Sequence, residues 1–406
     1  MSELERLIEK FCPDGVRYFS LSELFNTRNG YTPSKANREF WEDGTVPWFR
    51  MEDIREHGNI LSESLQYVSP SAVKGNLFPE NSIIVATSAT IGEHALITVP
   101  SLANQRFTYL MLKEQYKPSF NIKFIYYYCF KLDAYCKECL NQGNFASVDM
   151  KRFAKFEFPM PPLEVQNEIV RILDNFTELT AELTAELTAR KKQYEYYRDA
   201  LLTFGDDVPM VKLGDFAEII RGGNFQKKDF VEEGRPCIHY GQMYTHFGIH
   251  TDKTLKYVSE ETFRKSKQAI PNDIVMAVTS ENVEDVCSCT AWIGEEPIAV
   301  SGHTAIIHHN QNAKYLSYYF HTSHFFSQKK KLAHGTKVIE VTPSKLANIL
   351  VPLPSIEEQE RIVTILDRFD ALCNDISAGL PAEIEARKKQ YEYYRDKLLT
   401  FKELSV

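Results

Sequence analysis

Apolar residues recur in steps of three and four at Ile172, Phe176, Leu179, Leu183, Leu187, Tyr194, Tyr197 and Leu201. That spacing lays one stripe along a helix. Gln166 to Phe204 contains neither Gly nor Pro. The run therefore predicts a single helix of roughly 60 Å at 1.5 Å per residue, entered after Pro161-Pro162 and closed by Gly205 as a C-cap. A related stretch near the C-terminus holds Gly379 and Pro381 in its middle. A proline there removes a backbone hydrogen bond and crowds the preceding turn, so a kink or short break is expected. Elsewhere the period changes. Asn81–Ala86 (NSIIVA) and Asn272–Ala277 (NDIVMA) are short runs rich in β-branched residues and predict equivalent strands. Phe124–Cys139 and Tyr315–Leu332 predict helices.

The two helical stretches are copies of one another. Residues 189–199 and 386–396 both read ARKKQYEYYRD, and each is followed by a Leu-Leu-Thr-Phe tail. Upstream, FPMPPLEVQNEIVRILD (158–174) matches VPLPSIEEQERIVTILD (351–367). A period of about half the chain marks a duplicated unit rather than a solenoid. The segments before the helices begin alike, VRYFSLSEL at 16–24 and VPMVKLGDF at 208–216, then diverge. The expected organisation is a first head over 1–160, a helical spacer over 161–205, a second head over 206–353 and a second spacer over 354–406. The class is α+β: two globular α/β heads separated by two long helices. The stripes predict that these pair as an antiparallel coiled coil with pseudo-two-fold symmetry; the alternative is that each helix packs on its own head.

Length and composition agree. A chain of 406 residues exceeds one ordinary core. Its 43% apolar and 25% charged residues describe a folded protein rather than a disordered one. No apolar run approaches a membrane span, and the charged N-terminus lacks a signal-peptide layout; a cytoplasmic location is expected. The eight cysteines are scattered, and Cys136/Cys139 and Cys287/Cys289 lack a second pair at zinc spacing. Buried reduced thiols are expected, and His308 and His309 are expected to face a strand rather than a metal. The net charge of −8 counts against a broad nucleic-acid surface. Yet residues 16–150 hold 13 Lys+Arg against 14 Asp+Glu, and residues 211–345 hold 16 against 15. Any grip on nucleic acid would use small local patches.

The alternation of variable head and repeated helix resembles the specificity subunit, HsdS, of Type I restriction–modification systems. The likeness covers essentially the whole chain. Its most specific element is the tandem TAELTAEL of Thr180–Leu187 before RKKQYEYYRD, similar to the IC-type subfamily. Asn29-Gly30-Tyr31-Thr32-Pro33-Ser34, with Val46-Pro47-Trp48 downstream, is similar to one recognition-head type; the second head has Arg221-Gly222-Gly223-Asn224-Phe225 instead. The resemblance implies a non-catalytic DNA reader without a cofactor of its own. It would recognise an asymmetric bipartite site in double-stranded DNA and scaffold two HsdM methyltransferase subunits and HsdR restriction subunits. S-adenosylmethionine would sit in the former, ATP and Mg in the latter. The chain also lacks a dinucleotide fingerprint, a phosphate loop and an amino-methyltransferase motif. The competing class is a two-headed interaction scaffold that binds no DNA.

Base edges are read by Arg or Lys for guanine, Asn or Gln for adenine, and Asp or Glu for cytosine. Candidate readers in the first head are Tyr31, Thr32, Ser34, Lys35, Arg50, Thr87, Ser88, Thr90 and Asn144, with Asn104-Gln105-Arg106 foremost. In the second head they are Asn224, Gln226, Lys227, Lys228, His239, Tyr240, Gln242, Thr279, Ser280, Asn282, His303, Thr304, Thr336 and Lys337. Lys329-Lys330-Lys331 is either a phosphate clamp or a solvated helix end. The repeated helix face offers partner contacts at Arg190, Lys191, Tyr194, Tyr197 and Arg198, and again at Arg387, Lys388, Tyr391, Tyr394 and Arg395; pairing of the helices is the alternative there. In this family each TAEL unit lengthens a helix by about 6 Å, against 3.4 Å per base pair. Two units imply a spacer at the short end of the range, on the order of 6 bp.

Overall fold

The computed structural model describes residues 2–141, 146–374 and 379–404. It forms two compact units, Met1–Glu182 with Glu385–Val406, and Leu183–Ile384. Each joins one head to helical residues from both spacers, so compactness cuts across the segments drawn from the sequence. The 39-residue helix Leu163–Leu201 links them.

In the first unit, strand Ser82–Ala86 lies between Phe107–Leu112 and His94–Ile97 in a five-stranded sheet, with Phe25–Asn29 and Ile60–Leu61 at the edges. All five of its residues are buried. Ile83 and Val85 face helix Ile122–Glu138, while Ile84 and Ala86 face Trp48, Phe49 and Phe78. A strand buried on both faces reads as a continuous apolar run, and each such aliphatic side chain contributes about 1.5–3 kcal/mol. The second unit repeats this with Asp273–Ala277 between Thr304–His309 and Cys289–Trp292. Ile274 and Met276 pack on one side, Val275 and Ala277 on the other. The strand pair expected from the sequence is thus the centre of both heads.

Each head is tied to its helix by the same fittings. Gln166 is wholly buried; its carbonyl accepts from Asn121 N–H (2.9 Å) and its amide donates to the carbonyls of Ser119 (2.8 Å) and Pro161 (2.7 Å). Asp174 accepts from Tyr127 (2.6 Å) and pairs with Lys123 (2.7 Å). In the second unit Gln359 and Asp367 do the same, with Tyr318 and Lys314 at 2.8 Å from Asp367. The expected pairing of helix stripes occurs inside each unit: Phe176 against Tyr391 and Tyr394, and Phe369 against Tyr197. The first unit is closed by its distant tail, where Val16 N–H donates to Lys402 O (2.8 Å) and Leu404 N–H to Val16 O (2.9 Å).

Three expectations are corrected. The long helix ends at Leu201, and Gly205 lies beyond it without a left-handed φ, so it is no C-cap. Residues 315–332 are not one helix. They form Ala313–Phe320 and Ser323–Leu332, because Thr322 caps the second by accepting from Phe325 N–H (3.2 Å). Of the Lys329-Lys330-Lys331 run only Lys330 and Lys331 are exposed, in the last turn of the helix; Lys329 is buried, donating to the carbonyls of Glu284 (2.8 Å) and Val286 (2.6 Å). Near the C-terminus the described helices are Ile356–Asn374 and Leu380–Leu398. Pro381 falls in the first turn of the latter, where its missing N–H costs nothing. All eight cysteines are buried and unbridged. His308 and His309 lie in strand Thr304–His309, His308 paired with Asp273 at 2.7 Å.

Candidate nucleic-acid interface

In the first head, Gly30 N–H donates to Phe107 O (2.9 Å) and Tyr31 N–H to Ala103 O (2.8 Å). This lays Gly30–Ser34 directly on the loop Asn104–Arg106. A Cβ on Gly30 would stand 2.3 Å from the carbonyl oxygens of both Ala103 and Asn104, so only glycine allows the approach. Trp48 Nε1 holds Tyr31 O (2.9 Å), Trp41 Nε1 holds Ser34 O (3.0 Å), and the two indoles meet edge to face at 5.0 Å. Thr32 then donates to Gln105 Oε1. These parts surround an open cleft of about 660 Å³, lined by Thr32, Lys35, Arg38, Trp41, Trp48, Arg50, Asn104, Gln105 and Arg106, with Glu42, Met51, Glu52 and Gln66.

The second head uses the same backbone scheme. Gly222 N–H donates to Thr304 O (2.9 Å) and Gly223 N–H to Val300 O (2.7 Å), and a Cβ on Gly222 would lie 2.1 Å from Ser301 O. Ser301-Gly302-His303 therefore stands where Asn104-Gln105-Arg106 stands in the first head. The Gly-x-Thr-Pro-Ser letters are missing here, but the glycine contact they encode is present. The neighbouring cleft, about 390 Å³, is lined by Tyr240, Tyr244, Thr279, Ser280, Glu281, Asn282, Asp285, His303 and Val338. His303 Nδ1 lies 3.0 Å from Thr279 Oγ1, and the Tyr240 ring lies 4.9 Å from the imidazole.

Several candidates turn out to build these sites rather than face out of them. Tyr31 OH is engaged by Ala72 O (3.2 Å) and Lys74 N–H (2.7 Å). Thr87 Oγ1 bonds Thr108 Oγ1 (3.0 Å), and the hydroxyl oxygen of Thr90 is shut away from the surface. Ser88 is half-buried beside Ser147. His239 is buried and caps its own turn, accepting from Gly241 N–H (3.2 Å); burial lowers its proton affinity. Gln242 accepts from His239 N–H (2.8 Å). Thr279 is buried and serves His303, and Thr304 is buried with its hydroxyl on Ser301 O (2.5 Å). Asn282 is tied to Asp285 through two 2.7 Å bonds but stays exposed at the rim of the second cleft. Each is a polar residue beside an exposed candidate, and sequence cannot separate the two.

Exposed side chains remain at Ser34, Lys35, Gln105 and Arg106, and at Asn224, Gln226, Lys227, Lys228, His303, Thr336 and Lys337. Arg50, Tyr240 and Ser280 are half-buried within the clefts. Asn144 lies outside the described residues. Arg38, Trp41 and Tyr244 belong to the clefts and were missed, although two tryptophans seven residues apart around a Gly-Thr turn were a usable signal.

The helical candidates divide by phase. Tyr194 is 6% exposed and lies in the second core, and Tyr391 packs on the first. Tyr197 and Tyr394 stack on Phe369 and Phe176. Arg198 lies over Tyr194, and Arg395 over Phe130 (4.3 Å) and Tyr391. These six serve helix packing, because the apolar stripe they sit on faces the unit. Arg190, Lys191 and Lys388 are exposed, and Arg387 is half-buried. The repeat's remaining tyrosine points the other way: Tyr196 is 70% and Tyr393 63% exposed.

Among the described residues no cluster of three or more His, Cys, Asp and Glu could hold a metal, and no helix is long and apolar enough to cross a membrane. The chain matches the family described as Type I restriction modification DNA specificity domain twice, over residues 13–190 and 205–386. It is 43% identical over 396 residues to the Type I restriction enzyme EcoprrI specificity subunit of Escherichia coli, covering 93% of each. It is 37% identical over 300 residues to the EcoR124I/EcoR124II specificity subunit of the same organism, covering 69% of this chain and 71% of that one. Among solved structures, a chain from a study of assembly and conformational transition of the type I R–M system aligns over 95% of this chain and 98% of its own, with TM-score 0.66 and 18% identity. The HsdS subunit from Thermoanaerobacter tengcongensis aligns over 96% and 97%, with TM-score 0.51 and 17% identity.

Proposed function

The chain belongs to the Type I restriction–modification DNA specificity subunits, non-catalytic readers that give a restriction–modification complex its sequence specificity, and from that premise we propose that it recognises an asymmetric DNA site in two parts, one per head. The carrying observation is that two heads of one topology hold their loops by the same glycine contact yet present different side chains, Asn-Gln-Arg in one and Ser-Gly-His in the other. One scaffold with two chemistries reads two different half-sites.

Base contacts fall to Gln105, Arg106 and Arg50 in the first head and to His303, Tyr240 and Ser280 in the second. Lys35, Lys227, Lys228 and Lys337 supply phosphate contacts, which orient the duplex without reading it. The helix Leu163–Leu201 sets the spacer through its two TAEL units, on the order of 6 bp at about 6 Å per unit. Two HsdM subunits dock on the two copies of the repeat, with Tyr196 and Tyr393 as equivalent anchors flanked by Arg190, Lys191, Arg387 and Lys388; exposed tyrosines beside cations suit a protein interface. S-adenosylmethionine belongs to HsdM, and ATP and Mg to HsdR.

The test is co-expression with the adjoining methyltransferase subunit in a host without adenine methylation, followed by mapping of N6-methyladenine. One split, asymmetric motif with a methylated adenine in each half is expected. A palindromic motif would defeat the two-chemistry argument, and co-purification without any motif would defeat DNA reading by this pair.

A further inference from the structure

Hydrogen-bond polarity in the first cleft is one-sided. Lys35, Arg38 and Arg106 are exposed and have no ion-pair partner among the described residues. Arg50 is shared with Glu52 at 4.0 Å. Four cations against Glu42 and Glu52 make the cleft positive in a chain of net charge −8.

The two amides add to that bias. Arg106 N–H donates to Asn104 Oδ1 at 2.9 Å; an N–H can only donate, so the oxygen is the end turned inward. Thr32 donates to Gln105 Oε1. Each amide oxygen already holds a donor from the protein, and the NH2 ends are left for a ligand. An amide reads adenine through both ends at once, accepting from N6 and donating to N7. With its oxygen turned onto a protein donor and one of two lone pairs used, the amide favours donating over that two-ended contact. Arg106, next in the chain, is a fork of donors that matches the O6 and N7 acceptors of guanine.

We propose that Asn104-Gln105-Arg106, braced by Thr32, is a donor-only reader that selects guanine, and not adenine, at the base pairs it contacts within the half-site of the first head. This rests on the chain being a DNA reader and specifies the chemistry of that site. The second head cannot share the preference, since Gly302 and His303 occupy the positions of Gln105 and Arg106, and His303 is paired with Thr279.

The experiment compares methylation motifs of the complex carrying the wild-type chain, Arg106→Gln and Thr32→Val. Arg106→Gln should relax selection at a G·C pair in one half-site, by on the order of 10-fold or more. The other half-site and the spacer should stay as in the wild type, which also shows that the variant is folded. Thr32→Val frees the Gln105 amide to turn and should admit A·T at a neighbouring position of the same half-site. If Arg106→Gln abolishes methylation altogether, Thr32→Val decides alone. Relaxation at an A·T pair by Arg106→Gln, or two variants with the wild-type motif, overturns the donor-only reader while leaving DNA reading intact. A wild-type complex with no motif overturns the reading on which it rests.

Discussion

Gln166→Leu tests whether the head is held to its helix by the buried glutamine. Leucine keeps the apolar bulk and loses three hydrogen bonds of 2.7–2.9 Å at a site with no solvent exposure. Each such bond is worth about 1 kcal/mol net, and the stranded Asn121 N–H adds a desolvation cost of about 1–3 kcal/mol. The first unit should lose about 4–6 kcal/mol, a large share of the roughly 5–15 kcal/mol that holds a domain. The chain has three tryptophans, two in the first unit and Trp292 in the second. In a Trp292→Phe background, urea unfolding followed by fluorescence therefore reports the first unit alone. Gln359→Leu is the internal comparison. One of its partners is the Gln311 side chain (2.8 Å), which can turn to solvent, so its cost should be smaller. A loss below about 1 kcal/mol for Gln166→Leu would refute the reasoning.

Gly30→Ala should drive a methyl into Ala103 and Asn104, displace the reading loop and abolish recognition of one half-site while the chain stays folded; a methylation map with both halves unchanged would refute the contact. Burial lowers the proton affinity of His239, His250, His321 and His309, the last to about 4, and all four lie in the second unit. The unfolded chain takes up those protons near pH 6.5 and the folded unit only at lower pH, about 4 for His309, so stability fully present above 6.5 is lost as pH falls through the depressed folded values. Asp273, pushed up by burial, offsets part of this. Melts at pH 7 and pH 5 should show the larger loss in the second unit, and equal losses would contradict the assignment. Deleting Thr184–Leu187 removes about 6 Å of helix and should shorten the preferred spacer by one or two base pairs, read from the methylation motif. Lys329→Met strands two carbonyls of the 284–286 loop and should cost the second unit about 2 kcal/mol.

The duplication was legible because identical letters survive at positions doing identical work: Gln166 and Gln359, Asp174 and Asp367, Tyr197 and Tyr394. The central strands were legible because full burial demands unbroken apolar runs. The tyrosines of the expected partner face divided: Tyr194 and Tyr391 are packed into the cores, whereas Tyr196 and Tyr393, not singled out from the sequence, are the most exposed. Tyr194, Tyr196 and Tyr197 are one residue type, and only phase against the core separates the buried from the exposed. The candidate readers were harder still. Thr32, Thr87 and Thr279 look alike in sequence, yet one orients an amide, one braces a strand and one holds a histidine. The break at Thr322 was hidden because a mid-helix threonine and an N-cap threonine are the same letter.

The closure of the first unit by Lys402–Leu404 sets an order on biosynthesis. Residues 183–384 form a contiguous unit that can complete as soon as they leave the ribosome. The first head emerges earlier but must wait some two hundred residues for its last segment. Loop closure over that separation is slow compared with local contacts, so the half of the molecule made first is finished last. During that interval Val16, Tyr18 and Phe124, which the tail contacts in the finished unit, are what a nascent-chain chaperone would meet.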